Sequence, residues 1–165
     1  MPNWCDCDLL INGSQESLSV FEKVANTVEQ VLDQNVFIPY PEKFHRLDEI
    51  AKKWDNTMFP NKNRADRPAD GFNNGGYEWC LENWGTKWGI CRPTKEKIHG
   101  TLVYHFETAW EPPLPIIIKM GSEFPDLTFE LKSFEQGMGF QGIFMIQDGM
   151  INTDERKKYD GDRGG

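Results

Sequence analysis

His105 and Glu107 stand two residues apart in a stretch, residues 102–107, that alternates apolar and polar side chains as a strand does, so both leave the same face. A histidine beside a carboxylate is the minimal apparatus of general acid–base catalysis. The chain offers few other catalytic options. It has three histidines, His45, His99 and His105, and no Ser-x-x-Lys, Gly-x-Ser-x-Gly or His-Glu-x-x-His arrangement. A solvated strand face is therefore the stronger reading of the pair, and we expect no enzyme. Four cysteines, Cys5, Cys7, Cys80 and Cys91, supply the donor set of a tetrahedral zinc site. Neither the Cys5–Cys7 pair nor the Cys80–Cys91 pair has the usual spacing of structural zinc ligands. Buried thiols are expected instead, with no metal and no cofactor.

Residues 79–92, WCLENWGTKWGICR, hold three of the six tryptophans, Trp79, Trp84 and Trp88. Rings this large either fill a junction between helix and sheet or form a recognition surface. Gly85 and Gly89 allow the backbone to approach a neighbour closely. Lys87 can meet an anion, and Trp110, just before Pro112, can join the same surface. Trp79, Trp84, Lys87, Trp88 and Trp110 are thus the candidate binding residues. The Gly-Thr-Lys at 85–87 lacks the rest of a phosphate loop.

The formal net charge is −8, which argues against a nucleic-acid partner and suits a cationic protein surface. Phe129, Phe140, Phe144 and Tyr104 offer rings for a base-stacking platform, but the sequence pattern of such RNA-binding sheets is missing. The acidic pairs Asp6/Asp8 and Asp160/Asp162 read as solubility charges. No apolar run is long enough to span a membrane, and MPNWCDCDLLING has no basic segment ahead of an apolar one. A cytoplasmic protein is expected.

The elements that must position these residues follow from periodicity. Residues 3–12 read as a strand. Ser14 caps a helix whose buried stripe is Leu18, Phe21, Ala25, Val28 and Leu32. Val36, Phe37 and Ile38 suggest a short second strand over residues 35–39, closed by Pro39 and Pro41. Leu47, Ile50, Ala51 and Trp54 form a second helical stripe. The run NKNRADRPADGFNNGG, residues 61–76, reads as a flexible flap. Tyr77, Leu81 and Trp84 resume helical spacing. A strand at 102–107, a helix opened by Pro112, Pro113 and Pro115, a strand at 127–131, a turn at 136–139 and a strand through Phe140, Phe144 and Ile146 complete the order. Residues 151–165 are polar and glycine-rich, and read as a flexible tail. The plan is a single α+β domain over residues 1–150. It is a ferredoxin-like split β-α-β antiparallel sheet with helices on one face and a helical insertion, about residues 42–95, between its two halves.

PNWCDCDLLINGS, WCLENWGTKWG, TAWEPPLPI and FELKSFEQGMGFQG together resemble the Api92-like family, carried by phages and plasmids, which has a ferredoxin-like domain. The likeness covers about residues 2–146 and weakens around residues 42–70 and in the tail. It implies the fold and a mobile-element origin. The family supplies no established reaction, so no catalytic residue carries over. The resulting expectation is a non-enzymatic accessory protein that binds a host protein, a defence component among the possibilities, through an acidic and aromatic surface. The alternative is a binder of a nucleotide or signal molecule, with Trp84, Lys87 and Trp88 at the rim of a pocket between sheet and insertion. An exposed sheet edge also offers a route to a homodimer.

Overall fold

The computed structural model describes residues 3–57 and 63–165. Its first strand, β1 (Trp4–Asn12), alternates as its sequence requires: Cys5, Cys7, Leu9 and Ile11 are buried on one face. Helix α1 (Gln15–Ala25) begins where the Ser14 hydroxyl accepts from the Ser17 N–H at 3.1 Å, and buries Leu18, Phe21 and Ala25. Three further helices follow: α2 (Gln34–Phe37), α3 (Glu42–Asn56) and α4 (Gly76–Asn83). The chain then makes two strands, β2 (Cys91–Ile98) and β3 (Thr101–Ala109), before helix α5 (Leu114–Glu123). Three strands close it: β4 (Thr128–Glu135), β5 (Phe140–Gln147) and β6 (Met150–Lys158).

All six strands form one antiparallel sheet in the order β2-β3-β1-β4-β5-β6. Its first four strands are the split β-α-β arrangement, with β1 between β3 and β4 and with α1 and α5 as crossovers. The hairpin β5–β6 extends one edge. The core lies between the helices and the sheet face carrying Leu9, Ile11, Tyr104, Phe106, Phe129 and Leu131, with Phe21, Ile116, Ile117 and Met120 from the helices. Phe21 is its hub, meeting Phe124 at 5.1 Å, Phe129 at 5.5 Å and Tyr104 at 6.3 Å between ring centroids.

Three expectations are corrected. Residues 35–39 are not a strand: Asp33 caps α2 by accepting from the Asn35 N–H at 2.9 Å, and Phe37 turns into the core. The true second strand is β2, an edge strand whose sequence CRPTKEKI is mostly exposed and so carries no alternation; Pro93 is tolerated there because an edge has unpaired positions. Helices α2, α3 and α4 therefore all lie between α1 and β2, where the insertion was expected over about residues 42–95. Residues 151–158, expected in a flexible tail, belong to β6, which returns from β5 through Asp148 and Gly149 at φ +54 and +71. Asp-Gly with both residues left-handed is the tight hairpin turn that matches strand twist.

The expected flap is also more ordered than its composition suggests. Asn61 and Lys62 lie outside the described residues. From residue 63 onward, Asp70 organises the chain: it accepts from the Asn73 N–H at 2.7 Å and from Arg67 at 2.8 Å, and Arg67 also clasps Asp55. Those bonds hold the Asp70 carboxyl down at about 2, the Asn73 backbone contributing most.

Tyr104 is fully buried, yet its hydroxyl has no hydrogen-bond partner among the described residues. An orphaned buried hydroxyl carries its desolvation cost without return, so Tyr104→Phe should stabilise the fold by about 1 kcal/mol. Urea unfolding of the two proteins checks this, and a loss of stability would mean that the hydroxyl has a partner.

Candidate functional site

The five candidate binding residues divide into two groups. Trp79 and Trp84 serve packing. Their rings meet edge to face at 5.3 Å, Tyr40 lies 5.7 Å from each, and the Trp84 indole N–H donates to the Ile38 carbonyl at 2.9 Å. Trp84 is only 5% exposed. These two tryptophans fill the junction between the helical segment and the sheet, where the expected pocket would have been.

Trp88 does the opposite. It is 37% exposed, and Lys87 lies over its ring with Nζ 4.6 Å from the centroid. The same ammonium stands 5.1 Å from the Trp110 ring and 5.9 Å from Tyr77. Trp4, at the start of β1, meets Trp88 at 5.8 Å, and the Arg92 guanidinium stacks 4.5 Å over Trp4. Trp4, Trp88 and Trp110 therefore make one aromatic face overlaid by Lys87 and by Arg92, the latter paired with Glu107. Sequence spacing missed Trp4, Tyr77 and Arg92. The pairing of Trp4 with Ala109 across β1–β3 is what brings Trp4 beside Trp110.

The backbone that holds this face is specialised. Gly85 and Gly89 are left-handed, at φ +75 and +72, and a Cβ on either would stand 2.7 Å from Pro115 or Gln34. Between them Thr86 is buried and donates to the Ala109 carbonyl at 2.8 Å, tying the loop to the end of β3. Trp110 itself sits at φ +69, and its N–H donates to the Asn3 carbonyl at 2.9 Å. Arg92, at φ +50, lies where the β2–β3 register shifts, and that bulge turns it toward Trp4. Non-glycine residues in this conformation cluster where function sets a geometry.

Across the sheet from the helices lies a charged face. Here the expected His105–Glu107 pair is not formed. Glu107 is taken by Arg92. His105 instead places Nδ1 2.8 Å from Asp8 and Nε2 2.8 Å from Glu96. The hydrogen bonds to Glu96 and Asp8 raise the imidazole's pKa above its usual value. Asp6 and Asp8 are not free solubility charges: Arg163 donates to Asp6 at 2.9 Å and to both oxygens of Asp8 at 2.8 and 2.9 Å, its guanidinium 4.2 Å over Phe134. Burial works to raise the Asp8 carboxyl, but the bonds from Arg163 and His105 outweigh it and hold it low.

These directions give a signed prediction. The His105 contribution is complete below about pH 6.5 and fades as pH rises through its raised folded value. The Asp8 contribution is complete above about pH 4 and fades as pH falls. Because the imidazole is partly exposed, His105→Gln should erase only about 0.5–1 kcal/mol, seen at pH 6 and vanishing by pH 9. Denaturation midpoints of both proteins across that range test it.

The remaining chemistry is structural. Cys5 and Cys7 lie side by side in the core, sulfurs 3.9 Å apart, and burial raises the Cys7 thiol. Burial also pushes Cys80 up to about 11 and raises Cys91, so these thiols stay protonated at neutral pH. Among the described residues no three His, Cys, Asp or Glu side chains gather to hold a metal ion. Phe129, Phe140, Phe144 and Tyr104 face the core and offer no platform for bases. Among the described residues no helix is long and apolar enough to cross a membrane.

Residues 84–163 match the model of a family described as the ferredoxin-like domain in Api92-like protein. This part of the chain is similar to that domain. A crystal structure of a protein api92 from Yersinia pseudotuberculosis has the same fold, with a TM-score of 0.61 over 98% of this chain and 99% of that one, at 10% sequence identity. No curated protein matches the chain. The matched residues include Trp84, Lys87, Trp88, Arg92 and Trp110, whereas Trp4 reaches the face from β1, outside them.

Proposed function

We propose that this protein is a non-enzymatic binding module that docks another protein on the face formed by Trp4, Trp88 and Trp110. The observation that carries the reading is Trp88 itself, a tryptophan held in solvent by two left-handed glycines with a lysine stacked on it. Tryptophan and arginine dominate the energetics of protein interfaces, since each combines a large apolar area with a directional polar edge. Lys87 selects acidic groups on the partner, although the protein as a whole is acidic and Arg92 is already paired with Glu107. The mobile-element origin that the family resemblance implies makes a protein of the bacterial host, met in its cytoplasm, the natural partner, and a defence component one form of it. The small-ligand alternative has less support at its original place, because Trp79 and Trp84 fill that junction.

The test replaces Trp88 with a photo-crosslinking phenylalanine analogue in host lysate. One defined protein should be crosslinked at this position. Lys87→Glu in the same protein should abolish that product while leaving the circular dichroism spectrum unchanged. Absence of any specific product, or a product indifferent to Lys87→Glu, would overturn the reading.

A further inference from the structure

On its helix-covered side the sheet carries a cleft of about 260 Å³ at the β4–β5–β6 corner, beside the start of α5. Ser133 and Gly142, directly opposed across β4–β5, form its floor. Phe140, Phe144, Leu114 and Pro115 form apolar walls. The mouth is spanned by an ion pair: Arg156 donates to both carboxylate oxygens of Glu111, at 2.9 and 3.0 Å, while its guanidinium lies 3.5 Å over the Phe140 ring.

Two features of the floor point to an occupant. Ser133 is 4% exposed, lines the cleft, and its hydroxyl has no hydrogen-bond partner among the described residues. The Ser133 oxygen is not sealed from solvent, so the cleft gives it access to a ligand's polar group. Gly142 keeps the space above it clear, because a Cβ there would stand 2.9 Å from the Ser133 oxygen. Small-molecule sites combine apolar walls with a few placed polar groups, and here Glu111, Asp154, Glu155 and Arg156 join Ser133 in the lining.

We propose that this cleft binds a small, uncharged, mainly apolar molecule, its ring or branched body against Phe140 and Phe144 and a single polar group on the Ser133 hydroxyl. Asp154 and Glu155 also line the cleft and disfavour an anion, while Arg156 pairs with Glu111 and Lys157 with Glu155, so the apolar walls hold an uncharged body. The Arg156–Glu111 pair is partly exposed, so it can part to admit a ligand at little cost. The site shares Gly85 with the loop of the docking face but rests on different side chains, and it survives if the protein-binding reading fails.

Phenol and toluene are suitable probes, followed by ligand-observed and amide NMR on the whole chain. Phenol should bind saturably and shift the amides of Ser133, Gly142 and Phe140. Ser133→Ala should weaken phenol about five- to tenfold, the value of one hydrogen bond, and leave toluene unchanged. Gly142→Val should fill the cleft and abolish both, with the amide spectrum showing that the fold is kept; Trp88→Ala should alter neither. Failure of both probes to saturate would overturn the proposal. So would phenol binding that ignores Ser133→Ala.

Discussion

Trp84→Ala is expected to lower folding stability by about 3–5 kcal/mol, whereas Trp88→Ala should change it by less than about 1 kcal/mol. The two residues are four apart and identical in type, so the contrast isolates environment. Trp84 is packed against Trp79 and Tyr40, and its indole N–H is bonded to the Ile38 carbonyl. Truncation leaves a ring-sized cavity and an unpaired carbonyl at the seam between helical segment and sheet. Trp88 loses one ring contact with Trp4 and the stacking of Lys87. Urea unfolding followed by circular dichroism decides the matter. A large loss at Trp88 would turn the proposed docking face into a packing feature, and a small loss at Trp84 would restore it to the binding surface.

The second large effect concerns residues 84–163. Although they match the Api92-like domain as a unit, they should not fold alone. Strand β1 stands between β3 and β4, so the isolated segment lacks the ladder that joins its own halves. It also lacks Leu9, Ile11, Leu18 and Phe21, all buried by the rest of the chain. Burial of four such side chains is worth about 6–12 kcal/mol, comparable with the whole stability of a small domain. The expected result is a non-cooperative thermal transition and a collapsed amide spectrum. Restoring residues 3–83 should return both to those of a folded protein. A dispersed spectrum for residues 84–163 alone would mean that β3 and β4 can pair directly.

Where burial follows a period, sequence was enough. The alternation of β1 and β4, the α1 stripe as far as Leu18, Phe21 and Ala25, and the proline-opened α5 read correctly, because one face of each is pressed into the core and the other is not; the expected continuation to Val28 fails, since α1 ends at Ala25 and Val28 is fully exposed. The edge strands β2 and β6 gave no such signal: most of their side chains are solvated, so nothing selects alternation. The Asp148-Gly149 pair was the available cue for the β5–β6 hairpin, and the left-handed His99-Gly100 pair for β2–β3.

Sequence by itself therefore determined the fold class, the crossovers and the residue types from which a site had to be drawn. It could not separate Trp84 from Trp88, because an indole has the same chemistry in a core or in solvent and only packing distinguishes the two. Nor could it pair His105 with Asp8 and Glu96, or bring Trp4 to Trp110 and Arg163 to Asp8. Those partners lie in distant parts of the chain, and only strand order and register set them side by side.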